Sequence, residues 1–389
     1  MIDFLWELAQ THLPERLFEW QNAGYPIEPD PAHTPKIVFW PFRGEQPLSG
    51  GLTALLAEPL RWLGPARTLI VTRFEPKGDK LSTWTSDLTQ IDPGTFMPPE
   101  AERAAQVWGE LSGDPAHGQL NVHFKPITGD PISWTFQGDL AQIAVKVIEL
   151  SGELQTRLGI TPPRAPDEPL DLTDPNALAG FLGAWGELNI RYALIQAGYE
   201  DYADALDGAI RRIVTATLSG SRFACWAACR AMWPIATNLD APHQSEAETA
   251  LVNLSSAFAR VAWPGLALSL LEWARNEPDR AADLLETAIE ADPRVAVSWR
   301  LLAILYAETG EYEQALKACQ EADTGRVADA PLYFLWGTLL LEGPDDSDES
   351  LTVTLNAFRA AEQGGLRAPE LFLRLMDVNE ALEDEASVW

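Results

Sequence analysis

Between Ala296 and Ala322 the chain reads AVSWRLLAILYAETGEYEQALKACQEA, and its apolar residues return every three or four positions on both sides of a break at Gly310. That spacing sets them on one face of each of two helices, with the glycine closing the first. Helical periodicity begins near residue 170 and holds to the C-terminus. Asp171 to Asn176 offers helix-start chemistry, and GAWGELNIRYALIQAGYEDYADALDGAIRRIV continues at the same period. FACWAACRAMWPIA, Phe223 to Ala236, is apolar on nearly every side and predicts a helix in the centre of the stack. APELFLRLMDVNEALEDEASVW predicts a capping helix with a polar outer face.

The first part of the chain alternates differently. Residues 1–24 predict a helical lead-in, and YPIEPDPAHTP an extended Pro-rich connector. KIVFWPF, Lys36 to Phe42, predicts a buried strand; GLTALLAEPLRWL, Gly51 to Leu63, a helix interrupted by Pro59; ARTLIVTRF, Ala66 to Phe74, a second strand. Residues 75–99 are turn-rich, and AERAAQVWGELSG, Ala101 to Gly113, reads as helical. QLNVHFKP and PISWTFQG, joined by ITGD, predict a hairpin, followed by a helix from Asp139 to about Leu158. PPRAPDEP, Pro162 to Pro169, is a second linker. The expected division is therefore 1–34, lead-in and linker; 35–160, a small α/β domain; 161–170, linker; and 171–389, an all-α domain of stacked helices.

Trp299, Leu302, Ala303, Tyr306, Gly310, Tyr312, Ala315 and Ala322 fall at the spacings of a tetratricopeptide repeat, and the chain resembles that family, whose period is about 34 residues. Counting backward gives a unit starting near Ala262, with Ala281 and Ala288 at the small-residue positions and Pro293 closing it. Counting forward gives a third unit near Ala330, with Trp336, Gly337, Phe358 and Ala361 in register and an insertion of about five residues in the acidic loop GPDDSDES. That loop lacks the glycine an EF-hand needs and reads as solvated. Trp185, Leu188 and Tyr192 keep the spacing of a first helix, but the second half of that unit is out of register. Such helix pairs need stacked neighbours, and stacking leaves a concave surface suited to a polypeptide.

FWPFRGEQPLSGGLTALLAEPLRWL and ITGDPISWTFQGDLAQIAVKVIELSGELQTRLGI resemble the opening and closing segments of the amino-terminal domain of TolB, over roughly residues 36–159. The middle, WTSDLTQIDPGTFMPPE, departs from that family. Together the two resemblances imply an α+β fold: a small TolB amino-terminal-like α/β domain followed by a tetratricopeptide-type solenoid. The cytosolic versions of this arrangement imply no shared activity. Phe39, Trp40 and Trp134 are read as core residues.

Positions 2, 5, 9 and 12 of each first helix share a face, which in the repeat family lines the concave surface. They are Trp263, Leu266, Leu270 and Trp273 in the first unit, Val297, Arg300, Ile304 and Ala307 in the second, and Pro331, Phe334, Thr338 and Leu341 in the third. Only Arg300 is basic. The expected ligand is thus an apolar peptide or amphipathic helix anchored on Trp263, Trp273 and Phe334, unless the chain's own capping helix or amino-terminal domain fills the groove.

Composition narrows the field. The 389 residues include 28 Lys and Arg against 57 Asp and Glu, a net charge of -29 that repels nucleic-acid phosphates and anionic lipid alike. Asp3 and Glu7 stand where a secretory signal would be basic, and no run is long enough to span a bilayer, so a cytoplasmic location is expected. Cys225, Cys229 and Cys319 sit in helical patterns without a disulfide or metal-binding framework and predict buried thiols. No nucleotide, nucleophile-elbow or zinc motif appears, and His12, His33, His117, His123 and His243 form no catalytic pattern. No cofactor is implied. The leading reading is a non-catalytic adaptor that binds a protein or peptide; the alternative is a sensor whose α/β domain binds a small molecule and whose repeats relay it. Self-association is left open.

Overall fold

The computed structural model describes residues 36–40, 42–45, 47–61, 67–70, 74–77, 80–83, 105–158, 168–196, 203–239, 243–343, 347–364 and 369–386. The lead-in and connector expected over 1–35 and the departure from the TolB pattern at 84–100 lie outside them. Contacts divide the chain at 258/259, so residues 36–258 and 259–386 are taken in turn.

In the first unit, strands β1 (Lys36–Phe39), β2 (Arg67–Ile70), β5 (Ala105–Asp114), β6 (His117–Lys125) and β7 (Ile132–Gly138) form a mixed sheet in the order β2-β1-β5-β6-β7. β1 runs parallel to β2 and β5, whereas β5, β6 and β7 are an antiparallel meander. β3 (Phe74–Lys77) and β4 (Lys80–Thr83) make a separate hairpin inside the turn-rich stretch.

Of the helix expected over Ala101 to Gly113, the described residues, 105–113, are instead part of β5. Its burial alternates from Ala105 and Val107 through Gly109 to Leu111, while Trp108, Glu110 and Ser112 point the other way. The alanine-rich start and the Trp108–Leu111 spacing imitate a helix, but pairing with strands on both sides decides the conformation. The hairpin β6–β7 is as expected, with Leu120, Val122 and Phe124 buried on one face.

Helix α1 (Leu48–Arg61) and helix α2 (Leu140–Arg157) pack on each other and on the sheet through Leu52, Leu55, Leu56, Ile143, Val147 and Leu150. Asp139 and Gln142 form a capping box that starts α2.

Helices α3 (Pro175–Gln196), α4 (Ala203–Thr217), α5 (Arg222–Ala236) and α6 (Gln244–Ala257) belong to this same compact unit. The reason is visible at the crossing of α1 with α3. A Cβ on Gly186 would lie 2.2 Å from the Pro47 carbonyl oxygen and one on Gly51 2.0 Å from the Leu182 carbonyl oxygen, so the two backbones touch through glycine. The small-residue start of α1 serves this approach. A buried ion pair adds to it: Arg230 Nε on α5 donates to Glu58 on α1 at 2.8 Å, with the guanidinium over the rings of Trp226 and Trp233. Nor are the last residues of the expected linker loose. Glu168 is buried against Arg222 at 3.0 Å, and Asp171 accepts from Ser221 and from the Arg222 amide.

In the second unit, α7 (Ala262–Ala274), α9 (Ala296–Glu308) and α11 (Ala330–Leu341) begin 34 residues apart, each followed by a partner helix: α8 (Pro278–Ala291), α10 (Tyr312–Thr324) and α12 (Asp348–Gln363). The first two turns are superimposable in their chemistry. Asn276 and Gly310 both take the left-handed conformation, φ 62° and 81°, and the amides of Glu277 and Glu311 bond back to the carbonyls of Glu272 and Tyr306 at 3.0 and 2.7 Å. Small residues sit where helices approach: Ala281, Ala288, Ala315 and Ala322 are buried on the second helices and Ser269 and Ala303 on the first. In the third pair Gly337 faces Phe358, whose ring would lie 2.6 Å from an added Cβ, so glycine here makes room for a large side chain.

The acidic insertion of about five residues agrees with the burial register, since Thr354, Phe358 and Ala361 are buried 39 positions after Ala315, Cys319 and Ala322, against 34 between the earlier pairs. Three residues join α7 to α8 and α9 to α10, whereas six, 342–347, join α11 to α12. Ser347 caps α12, and Asp348 and Glu349 occupy its first turn, where the helix dipole favours them.

Helix α13 (Pro369–Ala386) closes the unit. Leu371, Leu375, Val378 and Leu382 face Phe358 and its neighbours. That inward stripe leaves Phe372, Leu373 and Met376 outside, 43%, 52% and 67% exposed. The polar outer face expected of a capping helix is therefore interrupted by an apolar patch.

Candidate partner-binding face

The 34-residue offset makes Trp263 equivalent to Val297; Leu266 to Arg300 and Phe334; Leu270 to Ile304 and Thr338; and Trp273 to Ala307 and Leu341. The nine predicted contact residues do not share one environment. Trp263, Leu266, Leu270 and Val297 are buried and contribute to the core in this structure. Trp273, Ile304 and Phe334 are half-buried and keep surface that a ligand can touch. Phe334 also packs on Phe358, ring centroids 5.8 Å apart, so part of it holds α11 to α12. Thr338 is buried and donates to the Phe334 carbonyl at 2.9 Å. Pro331 has no described side chain.

Arg300, the one basic residue expected on this face, is committed elsewhere. Its Nη1 lies 3.0 Å from Asp329 Oδ2, and Asp329 Oδ1 accepts from the Leu332 amide at 3.0 Å as the N-cap of α11. The arginine is a tie between successive repeats.

Glu308, the last residue of α9, was not singled out by sequence. It follows Arg300 and Ile304 at intervals of four, which places it on the same stripe. Its two carboxyl oxygens are shielded from solvent and have no hydrogen-bonding partner among the described residues. Burial pushes its pKa up to about 8. The available signal was Glu342, 34 residues further on, which occupies the equivalent position and meets Arg374 Nη2 at 2.7 Å. Only the cross-repeat cation distinguishes the two, and that pairing is not written in local sequence.

Elsewhere, His123 bonds Ser133 Oγ at 2.7 Å and stacks on Trp108, an ordinary cross-strand arrangement. His243 and Asp207 form an acid–imidazole pair at 2.7 Å that sequence reasoning missed, but the ring is closed from solvent. Cys225, Cys229 and Cys319 are free and buried; burial raises the Cys319 thiol to about 12, far from a reactive thiolate. No group of three or more metal-ligating side chains occurs among the described residues, and no helix among them is long and apolar enough to cross a membrane. An open depression of about 510 Å³ lies at the ends of β5–β7, lined by Ser112, His117, Gln119, Gln137, Asp139 and Gln142.

A family pattern described as tetratricopeptide repeat matches residues 266–331. No curated protein matches the chain. Among solved structures it is similar to a tetratricopeptide repeat protein from Parabacteroides merdae ATCC 43184, with 15% identity over 61% of this chain and 84% of that one and a TM-score of 0.33. That match runs from within α7 to the start of α11.

Proposed function

We propose that the chain is a non-catalytic adaptor whose repeats receive a protein partner, an apolar peptide or amphipathic helix, on the face formed by the first helices. Tetratricopeptide repeats as a class mediate protein–protein interaction. The observation that carries the reading is the unbroken succession of three first helices starting 34 residues apart, which sets equivalent residues in rows. Trp273, Ile304 and Phe334 supply reachable apolar area; Trp263, Leu266, Leu270 and Val297 form the floor beneath, and Arg300 and Thr338 fix the helices that carry them. The segment resembling the TolB amino-terminal domain docks a second protein. The acidic charge fits a cytoplasmic protein with no nucleic-acid partner.

The test is capture of the partner by the wild-type chain and by a Trp273→Ala/Phe334→Leu variant, with thermal unfolding as the folding control. Loss of the partner by a folded variant supports the face; full retention removes it. A second reading, a sensor, draws on the polar depression at the end of β5–β7. It predicts that metabolites raise the unfolding temperature of both proteins equally.

A further inference from the structure

We propose that Glu308 receives the ammonium or guanidinium head of a lysine or arginine carried by the partner protein. The proposal rests on the reading of this face as a docking surface and adds the chemistry of its occupant: an apolar segment bearing one basic residue.

Three observations lead there. First, Arg300, Ile304 and Glu308 lie on one stripe of α9, so a segment lying along that stripe passes from an apolar wall to an acid. The methylene stem of a lysine or arginine suits Ile304, and its charged head suits the carboxylate beyond.

Second, neither carboxyl oxygen of Glu308 has a partner among the described residues, while the residue as a whole keeps part of its surface, from which a cation can approach. It also ends a helix, where the dipole opposes negative charge. A lone acid in such a place costs stability, and an incoming cation removes the cost.

Third, the molecule contains its own answered version of the site. Arg374 on α13 pairs at 2.7 Å with Glu342, the residue that caps the end of α11. From the Ala-Pro step that both segments share in sequence, 330–331 and 368–369, the counterpart of Arg374 in α11 is Trp336, and α11 holds no basic residue. The repeat thus retains the acid and lacks the cation. A net charge of -29 favours the approach of a basic segment from outside.

The experiment uses the full chain, with the Glu308 carboxyl followed by carbon NMR and assigned from Glu308→Gln. The probe is n-butylammonium chloride, a lysine side chain without its backbone, and n-butanol is the neutral control. In the wild type the ammonium should move the Glu308 resonance saturably and lower its titration midpoint by at least a pH unit, roughly a tenfold change; the alcohol should not. No saturable response, or an equal response to n-butanol, would overturn the proposal. The fragment does not need the apolar anchors, so a Trp273→Ala/Phe334→Leu chain that loses its partner but still answers the ammonium separates failure at Glu308 from failure of the face.

Discussion

Arg300 in α9 and Asp329 at the start of α11 form an ion pair of 3.0 Å in which the guanidinium is 6% and the carboxylate 14% exposed. The same carboxylate caps α11. One acid therefore performs two tasks, and two substitutions separate them. Asp329→Asn keeps a capping oxygen but removes the negative charge facing the buried guanidinium; Asp329→Ala loses both. The expected costs are about 3–5 kcal/mol for the first and about 1 kcal/mol more for the second, read from urea unfolding of each variant.

Gly186 and Gly180 lie on the same helix, α3, and should respond oppositely to alanine. A methyl group at Gly186 meets the Pro47 carbonyl at 2.2 Å and the Gly51 nitrogen at 2.6 Å, whereas one at Gly180 meets nothing within 4 Å. Gly186→Ala should destabilise by about 1–3 kcal/mol. Gly180→Ala should stabilise by about 0.5–1 kcal/mol, because alanine is the better helix former. Thermal unfolding of the pair checks both signs.

Glu308 gives a pH dependence with an unusual sign. Its pKa is about 8 in the folded chain against an ordinary value of 4.5. Between those values the folded state holds a proton that the unfolded state has released. Raising the pH through this window therefore favours unfolding, by a total on the order of a few kcal/mol, and nothing further is lost above it. Glu308→Gln should flatten that slope. Urea midpoints of the two proteins, measured from pH 5 to 9, test the difference.

The helical half was legible because its signals are local. Gly310 marks a turn, and Ala281, Ala288, Ala315 and Ala322 mark close approaches that recur at a fixed period. The helix starts at Ala262, Ala296 and Ala330 were placed from that period alone. β5 was misread because its conformation is set by β1 and β6, which are distant in sequence. The continuity of the α/β segment with α3–α6 was missed for the same reason: the Glu58–Arg230 pair joins residues 172 positions apart. In the proposed face, helical spacing did not tell a buried residue such as Trp263 from a reachable one such as Trp273. Burial depends on what neighbouring helices cover.

The central claim is that the first-helix face receives a protein. Its most direct measurement is site-specific photo-crosslinking in the cells of origin, with a benzophenone amino acid at position 273, at position 304, or at the exposed position 320 on α10. The account predicts adducts of one and the same protein from 273 and 304 and none from 320. No adduct from the first two positions, or the same adduct in equal yield from 320, would contradict it.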